Sequence, residues 1–435
     1  MRLIRLLKRD LREEVRNWVE DDLVSNEQAE RICQRYGMNF HDHEKTSMGY
    51  YVLVTLGYLF VGLALMTLIG ANWQEIPRGV RMGGLVLTTL GVNLFACHQY
   101  RMDKHTAATA WFFLGSLCYG VSIMLIAQIY HIGEHFPDGI FYWLLGVLPL
   151  ALLMRSNALM LLATTLAFLW FFVESSLHFF PVYFPLFLAA LAWYVFKIKQ
   201  SNLLFLALVS GVGFFVEYTL SWHLGPSHRF DFGVENIVVI AAMFLLFHSF
   251  SMWLSVQKQH RIADYGVLLN VWVLRFVLVS MLIFSFEVFW EELIEATWQY
   301  PTQTLVGFIL VVVASIALQY WSTRKFISTT VFGGYLTFAL LVLLYGDDQH
   351  AVAMQVIDNL FLIGLSVYLI VQGVRQGISH YFYLGVLTVM LTALLRYVDL
   401  IGDYIGAAIL FAVFSAILLA TARYWKANLK KEGVS

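Results

Sequence analysis

Arg396 and Asp399 stand inside an otherwise apolar run from Thr388 to Tyr404. On an α-helix Thr392, Arg396, Asp399 and Asp403 fall at i, i+4, i+7 and i+11, one polar stripe along a hydrophobic rod. Guanidinium and carboxylate groups so spaced can pair with each other, the arginine suits an anionic solute or lipid phosphate, and the carboxylates suit proton coupling. A charge facing lipid is costly, so the stripe turns toward protein or a wet cavity. Glu217, near the end of one apolar segment, and Asp358, near the start of another, reach the same depth. Arg275 lies deep in the segment from Tyr265 to Phe284, too far in to reach water, and calls for an acid, a carbonyl, or a bound phosphate or carboxylate. Arg275, Arg396, Asp399, Asp403 and Glu217 are therefore the candidate lining of a substrate or ion pathway, with Trp73, Glu75 and Arg78 at its outer rim. The plainer alternative is an interhelical ion pair that only fixes packing.

Other patterns carry less. His131, Glu134 and His135 fit the H-x-x-E-H spacing of inverted zinc peptidases, but that motif needs a regular helix, and Gly133 and Pro137 mark a loop. Neither G-x-x-x-x-G-K-[ST] nor G-x-S-x-G occurs, so no metal, nucleotide or other cofactor is expected. Cys33, Cys97 and Cys118 are widely spaced and imply no disulfide framework. Glycines at Gly83-Gly84, Gly211, Gly213 and Gly333-Gly334 read as sites of close helix approach.

The elements that carry these residues follow from composition. Of 435 residues 60% are hydrophobic and 13% charged, against about 25% charged in soluble domains. A soluble core cannot use that much apolar surface, so the solvent is lipid. The expected fold is all-α, a polytopic bundle of about 14 transmembrane helices, each near the length a bilayer requires. The segments near 140–153 and 182–196 fall short of that length.

Residues 1–46 read as a cytosolic amphipathic hairpin. Ile4, Leu7, Leu11, Val15 and Trp18 repeat at helical spacing, Ser25 with Gln28 makes a capping box, and Gly37 ends a second helix from about Asn26 to Tyr36. The bundle then spans 47–428, and 429–435 is a cytosolic tail. Every Lys and Arg outside the apolar segments, save Arg78, Arg81 and Arg229, falls on one side when the segments alternate. That side is cytoplasmic, with both termini there. The start lacks the apolar h-region and cleavage site of a signal peptide. Arg155-Ser156-Asn157 and Gln200-Ser201-Asn202 read as two similar tight turns with serine caps.

Two stretches resemble a bacterial family known as domain of unknown function 2157. They are Gly70-Ala71-Asn72-Trp73-Gln74-Glu75-Ile76-Pro77-Arg78 and Ala127-Gln128-Ile129-Tyr130-His131. Trp18, Glu27 to Ile32, Arg35-Tyr36-Gly37, Leu148-Pro149-Leu150 and Arg155-Ser156 extend the likeness over about residues 10 to 175, and Arg396 to Asp399 matches the family's close. Asp22 departs from it, standing where the family has glycine. The resemblance implies membrane residence and no activity.

The expected function is a bacterial inner-membrane transporter or flippase-like protein, its partners membrane lipid and a small anionic solute or lipid phosphate. A net charge of -1 gives no reason to expect nucleic acid. The alternatives are an integral-membrane enzyme acting on a lipid-linked substrate at the outer face, with Asp399, Asp403 or Glu75 as acid or base, and a scaffold whose hairpin recruits a partner.

Overall fold

The computed structural model describes residue 15, residues 18–21 and 23–35, ten positions between 53 and 67, residues 76–133, 135–225, 230, 232–322, 327–347 and 349–399, and residues 412, 415 and 419. Among these the structure is helical, with no strand. The chain divides into two compact units, Met1–Cys118 and Tyr119–Ser435.

In the first unit α1 (Asn26–Arg35) opens on the expected capping box. The Ser25 amide donates to Gln28 Oε1 at 2.9 Å and the Gln28 amide to Ser25 Oγ at 3.3 Å, satisfying two donors that a helix start leaves open. Ala29 and Cys33 are buried with Val15, and Trp18, Val19, Val24 and Ile32 pack around them. Gly37, Asp22 and most of the basic first helix lie outside the described residues. Next come α2 (Arg78–Arg101) and α3 (His105–Tyr130), joined by a turn in which Asp103 takes φ +58°. Gly115 on α3 lets Asn93 of α2 come close; a Cβ there would lie 2.6 Å from Asn93 Oδ1.

The second unit begins within α3 and continues through α4 (Pro137–Met154), α5 (Asn157–Ser176), α6 (Phe184–Trp193), α7 (Asn202–Leu224), α8 (Val234–Ser255) and α9 (His260–Phe284). After them come α10 (Glu287–Glu295), α11 (Pro301–Trp321), α12 (Ile327–Tyr345), α13 (Gln349–Gln376) and α14 (Ser379–Asp399). Twelve of the fourteen apolar segments read from the sequence coincide with helices; those at 49–70 and 405–424 lie largely outside the described residues. Ten described helices are long and apolar enough to cross a membrane. The chain is a membrane protein of many apolar helices. With 18 residues, α4 is longer than its apolar core suggested, about 27 Å at the α-helical rise. α6 stays short and is extended by a π turn over Tyr194–Ile198.

That π turn frees a carbonyl for a neighbour. Lys199 donates to the Tyr194 carbonyl at 3.0 Å, the i→i+5 bond of the wider turn. The Val195 carbonyl instead accepts from Arg261 Nη2 at 2.6 Å and from Tyr265 Oη at 3.3 Å. Tyr265 Oη in turn accepts from the Ser201 amide at 3.0 Å, so the start of α9 is tied to the turn before α7. Both serine-capped turns form as read: Ser156 Oγ accepts from Leu159 and Ser201 Oγ from Leu204.

The later part of the bundle is built around α8, which packs on α7, α9, α11 and α12, while α13 pairs with α14 and lies against α9 and α10. Close approach depends on glycine. A Cβ on Gly266 of α9 would fall 2.5 Å from the Ser255 amide nitrogen of α8, and one on Gly385 of α14 would fall 2.6 Å from the Ser366 carbonyl of α13. Lacking side chains there, the two pairs reach backbone contact. Of the glycines singled out in the sequence, Gly211 and Gly213 make room for side chains: an added Cβ would lie 2.7 Å from Leu188 Cδ2 and 3.1 Å from Met243 Cε. A Cβ on Gly333 would make only ordinary contact with Leu245 at 3.6 Å, and one on Gly83, Gly84 or Gly334 would meet nothing within 4 Å among the described residues.

Candidate functional site

Arg396 reaches the corner after α9, and Asp358 lies within electrostatic range of that arginine. Ser285, fully buried, ends α9 with its Oγ donating to the Leu282 carbonyl at 2.7 Å. Three elements then grip the corner. Trp290 of α10 donates Nε1 to the Phe284 carbonyl at 2.7 Å, and Asn359 of α13 donates Nδ2 to the Ser285 carbonyl at 3.0 Å. Arg396 of α14 donates Nη2 to Ser285 Oγ at 3.4 Å and lays its guanidinium over the Phe286 ring, 4.6 Å from the centroid. The inward-facing arginine read from the sequence is thus half-buried in protein.

Beside Asn359, Asp358 is 0% exposed. Its Oδ1 accepts from Tyr335 Oη of α12 at 2.6 Å, and its Oδ2 has no hydrogen-bond partner among the described residues. Arg396 is close enough for its charge to act on Asp358. A carboxylate in such surroundings needs either a cation or a proton, and both routes are open here. The same carboxylate lines a cavity of about 90 Å³ otherwise walled by apolar side chains of α8, α9, α10, α11 and α12, among them Phe244, Met281, Phe284, Trp290 and Phe308. α10 lends two residues to the cavity wall: its Trp290 and Leu293 are buried, while Glu292 and Glu295 are exposed.

Glu217 belongs to a neighbouring cluster. At 8% exposure, its Oε2 accepts from Asn236 Nδ2 at 2.9 Å, and the same amide group donates to Ser221 Oγ at 2.9 Å. Asn236 Oδ1 accepts from the Gly233 amide and so also caps α8. Next to it Glu235, 1% exposed, accepts from the backbone amides of Gln299 and Tyr300 through one oxygen, Oε1. Those amides precede Pro301, the first residue of α11, so one helix supplies another's cap.

A second polar group runs between α8, α9, α12 and α14 at their other ends. His248 Nδ1 and Asn270 Oδ1 lie 3.1 Å apart, and His248 Nε2 is 3.2 Å from Ser328 Oγ. Asn270 Nδ2 donates to Tyr381 Oη at 3.3 Å. Arg275 is exposed on α9, its guanidinium 5.0 Å from the Trp272 ring centroid, with His380 within reach of its charge.

The structure therefore brings Arg396 within electrostatic range of Asp358, gives Glu217 a separate set of partners, and leaves Arg275 on another face. Asp399 closes α14, but its side chain, like Asp403, Trp73 and Glu75, lies outside the described residues. Arg78 is the exposed first residue of α2. The H-x-x-E-H stretch is a turn, with His131 at φ +50° and Gly133 at φ +106°, and His135 Nε2 sits 2.7 Å from Glu174 Oε2. Glu235, Asn236, Tyr335, His248 and Asn270 went unmarked in the sequence. The available signal was a polar residue interrupting, or starting, an apolar run.

Comparison with known proteins places the first part of the chain. The family model described as predicted membrane protein (DUF2157) matches residues 16–160, the region over which the likeness was read. No curated protein and no solved structure matches the chain. Glu217, Asp358 and Arg396 all lie beyond the matched stretch.

Proposed function

We propose that this chain is a bacterial inner-membrane transporter or flippase-like protein for an anionic solute or lipid, with both termini cytoplasmic. The observation that carries the reading is a fully buried carboxylate, Asp358, inside a membrane bundle, with one oxygen unbonded among the described residues, an apolar cavity beside it and Arg396 within electrostatic range. Intramembrane charges of this kind mark pathways and proton relays more often than mere packing. An anionic group arriving at Arg396 competes with Asp358 for the guanidinium, and a carboxylate that loses its counter-charge in an apolar setting takes up a proton. Anion and proton then occupy the site together, and neither charge is left bare. Tyr335 holds Asp358 in place throughout through its hydroxyl.

The test is native mass spectrometry of protein extracted gently from its own membrane, wild type beside Arg396→Ala. A discrete anionic lipid or solute on the wild type, lost in the variant, is the expected result. If both release the same bulk phospholipid and nothing else, the reading fails.

A further inference from the structure

We infer that the cavity beside Asp358 receives the apolar part of the transported molecule, so that the substrate is an unbranched acyl chain carrying one anionic group. The inference rests on the transport reading above and adds the shape of the substrate to it.

The geometry points this way because head and tail positions share a corner. Phe284 lines the cavity, and the next two residues, Ser285 and Phe286, hold Arg396. Trp290 both walls the cavity and fastens that corner through its bond to the Phe284 carbonyl. The cavity wall and the partners of Arg396 are thus consecutive residues of one corner, which sets an anionic group on Arg396 beside the cavity that takes its carbon chain. The walls offer an apolar occupant what it needs: Met281, Phe308, Leu340 and their neighbours, with the Asp358 carboxyl, the Tyr335 hydroxyl and Ser280 as the polar exceptions. Size narrows the class. At about 90 Å³ the cavity is smaller than the ~150 Å³ that accommodates a benzene ring. A thin chain of a few methylenes matches that volume better than a ring or a branched body.

The chemistry is shared by free carboxylic acids and by the acyl chains of anionic lipids, and the experiment separates them. Binding to the purified full chain in nanodiscs of neutral lipid is followed by the emission of the cavity-lining Trp290, measured against Trp290→Phe to remove the signal of the other tryptophans. The probes are straight-chain carboxylates from acetate to hexanoate, benzoate, and lysophosphatidic acid. Affinity should rise about fourfold per added methylene and then level off once the cavity is full, with benzoate weaker than pentanoate. Ala241→Leu and, as a second variant, Ala339→Leu should flatten the chain-length dependence while leaving acetate unchanged.

Equal affinity for acetate and hexanoate in the wild type overturns the inference, and this comparison needs no variant to fold. If that flat series still disappears in Arg396→Ala, the anion contact of the transport reading stands without the cavity. If instead Arg396→Ala binds every carboxylate as the wild type does, the transport reading fails. A plateau reached with the free acids supports a small acid as substrate, and binding of lysophosphatidic acid alone supports a lipid.

Discussion

Glu235→Ala should unfasten α11 from α8. The buried carboxylate accepts two backbone amides at the start of α11, one of them at 3.0 Å, while sitting in the first turn of α8. It therefore lies in the positive field of two helix N-termini. Hydrogen bonds to a charged acceptor contribute about 1.5–3 kcal/mol each, so the pair is worth about 3–6 kcal/mol. Removing the residue also removes the cost of burying its charge, which lowers the expected loss to about 3–4 kcal/mol. Glu235→Gln keeps an acceptor oxygen in place and should lose about half as much. The assay is reversible unfolding in mixed micelles of rising dodecyl sulfate content, read by tryptophan fluorescence, with amide exchange measured over residues 296–304. An alanine variant within about 1 kcal/mol of wild type would refute the reasoning, given that each lost bond alone is worth more. Unchanged exchange at Gln299 and Tyr300 would do the same.

Glycine positions give a paired test. Gly266→Ala should destabilise the bundle by about 2 kcal/mol or more, because its Cβ would meet the Ser255 amide at 2.5 Å, whereas Gly84→Ala, with open space around it, should stabilise α2 by about 0.5–1 kcal/mol. The same unfolding assay reads both signs. Tyr335→Phe leaves Asp358 without its donor and should cost about 1–3 kcal/mol, while Tyr335→Phe combined with Asp358→Leu should recover part of that loss. A double-mutant cycle with no coupling would show that the pair does not act as a unit. Arg261→Met strips a donor from the Val195 carbonyl and should cost about 1–3 kcal/mol, with faster amide exchange at residues 199–201 as the local sign.

The sequence made the helices easy to read and their partners hard. Length and hydropathy locate a span because lipid leaves the backbone no other way to satisfy its bonds. Local caps were equally legible: Ser25 with Gln28, Ser156 and Ser201 act within three residues of themselves. Arg396 could be placed inward from cost alone, and Asp358 could be assigned its depth. That these two come within electrostatic range, 38 positions apart in the chain, depends on how α13 and α14 rotate about their axes, which no single helix encodes. Glu235 was hidden for a different reason. At the edge of an apolar run it resembles any loop acid, and its role exists only once the start of α11 arrives beside it. Gly266 and Gly385 are single glycines without a G-x-x-x-G pattern, yet they make closer approaches than the paired glycines that drew notice.

The π turn at Tyr194–Ile198 has a consequence for descent. Such a turn is an α-helix with one residue too many, and here the surplus is put to use by a different helix. Deleting any one of its residues would rotate the chain beyond it by about 100° and hand the Val195 carbonyl back to its own helix. Arg261 would then point at a bond already made. The extra residue and the arginine thus depend on each other, and the length of this segment is tied to a side chain more than sixty positions away.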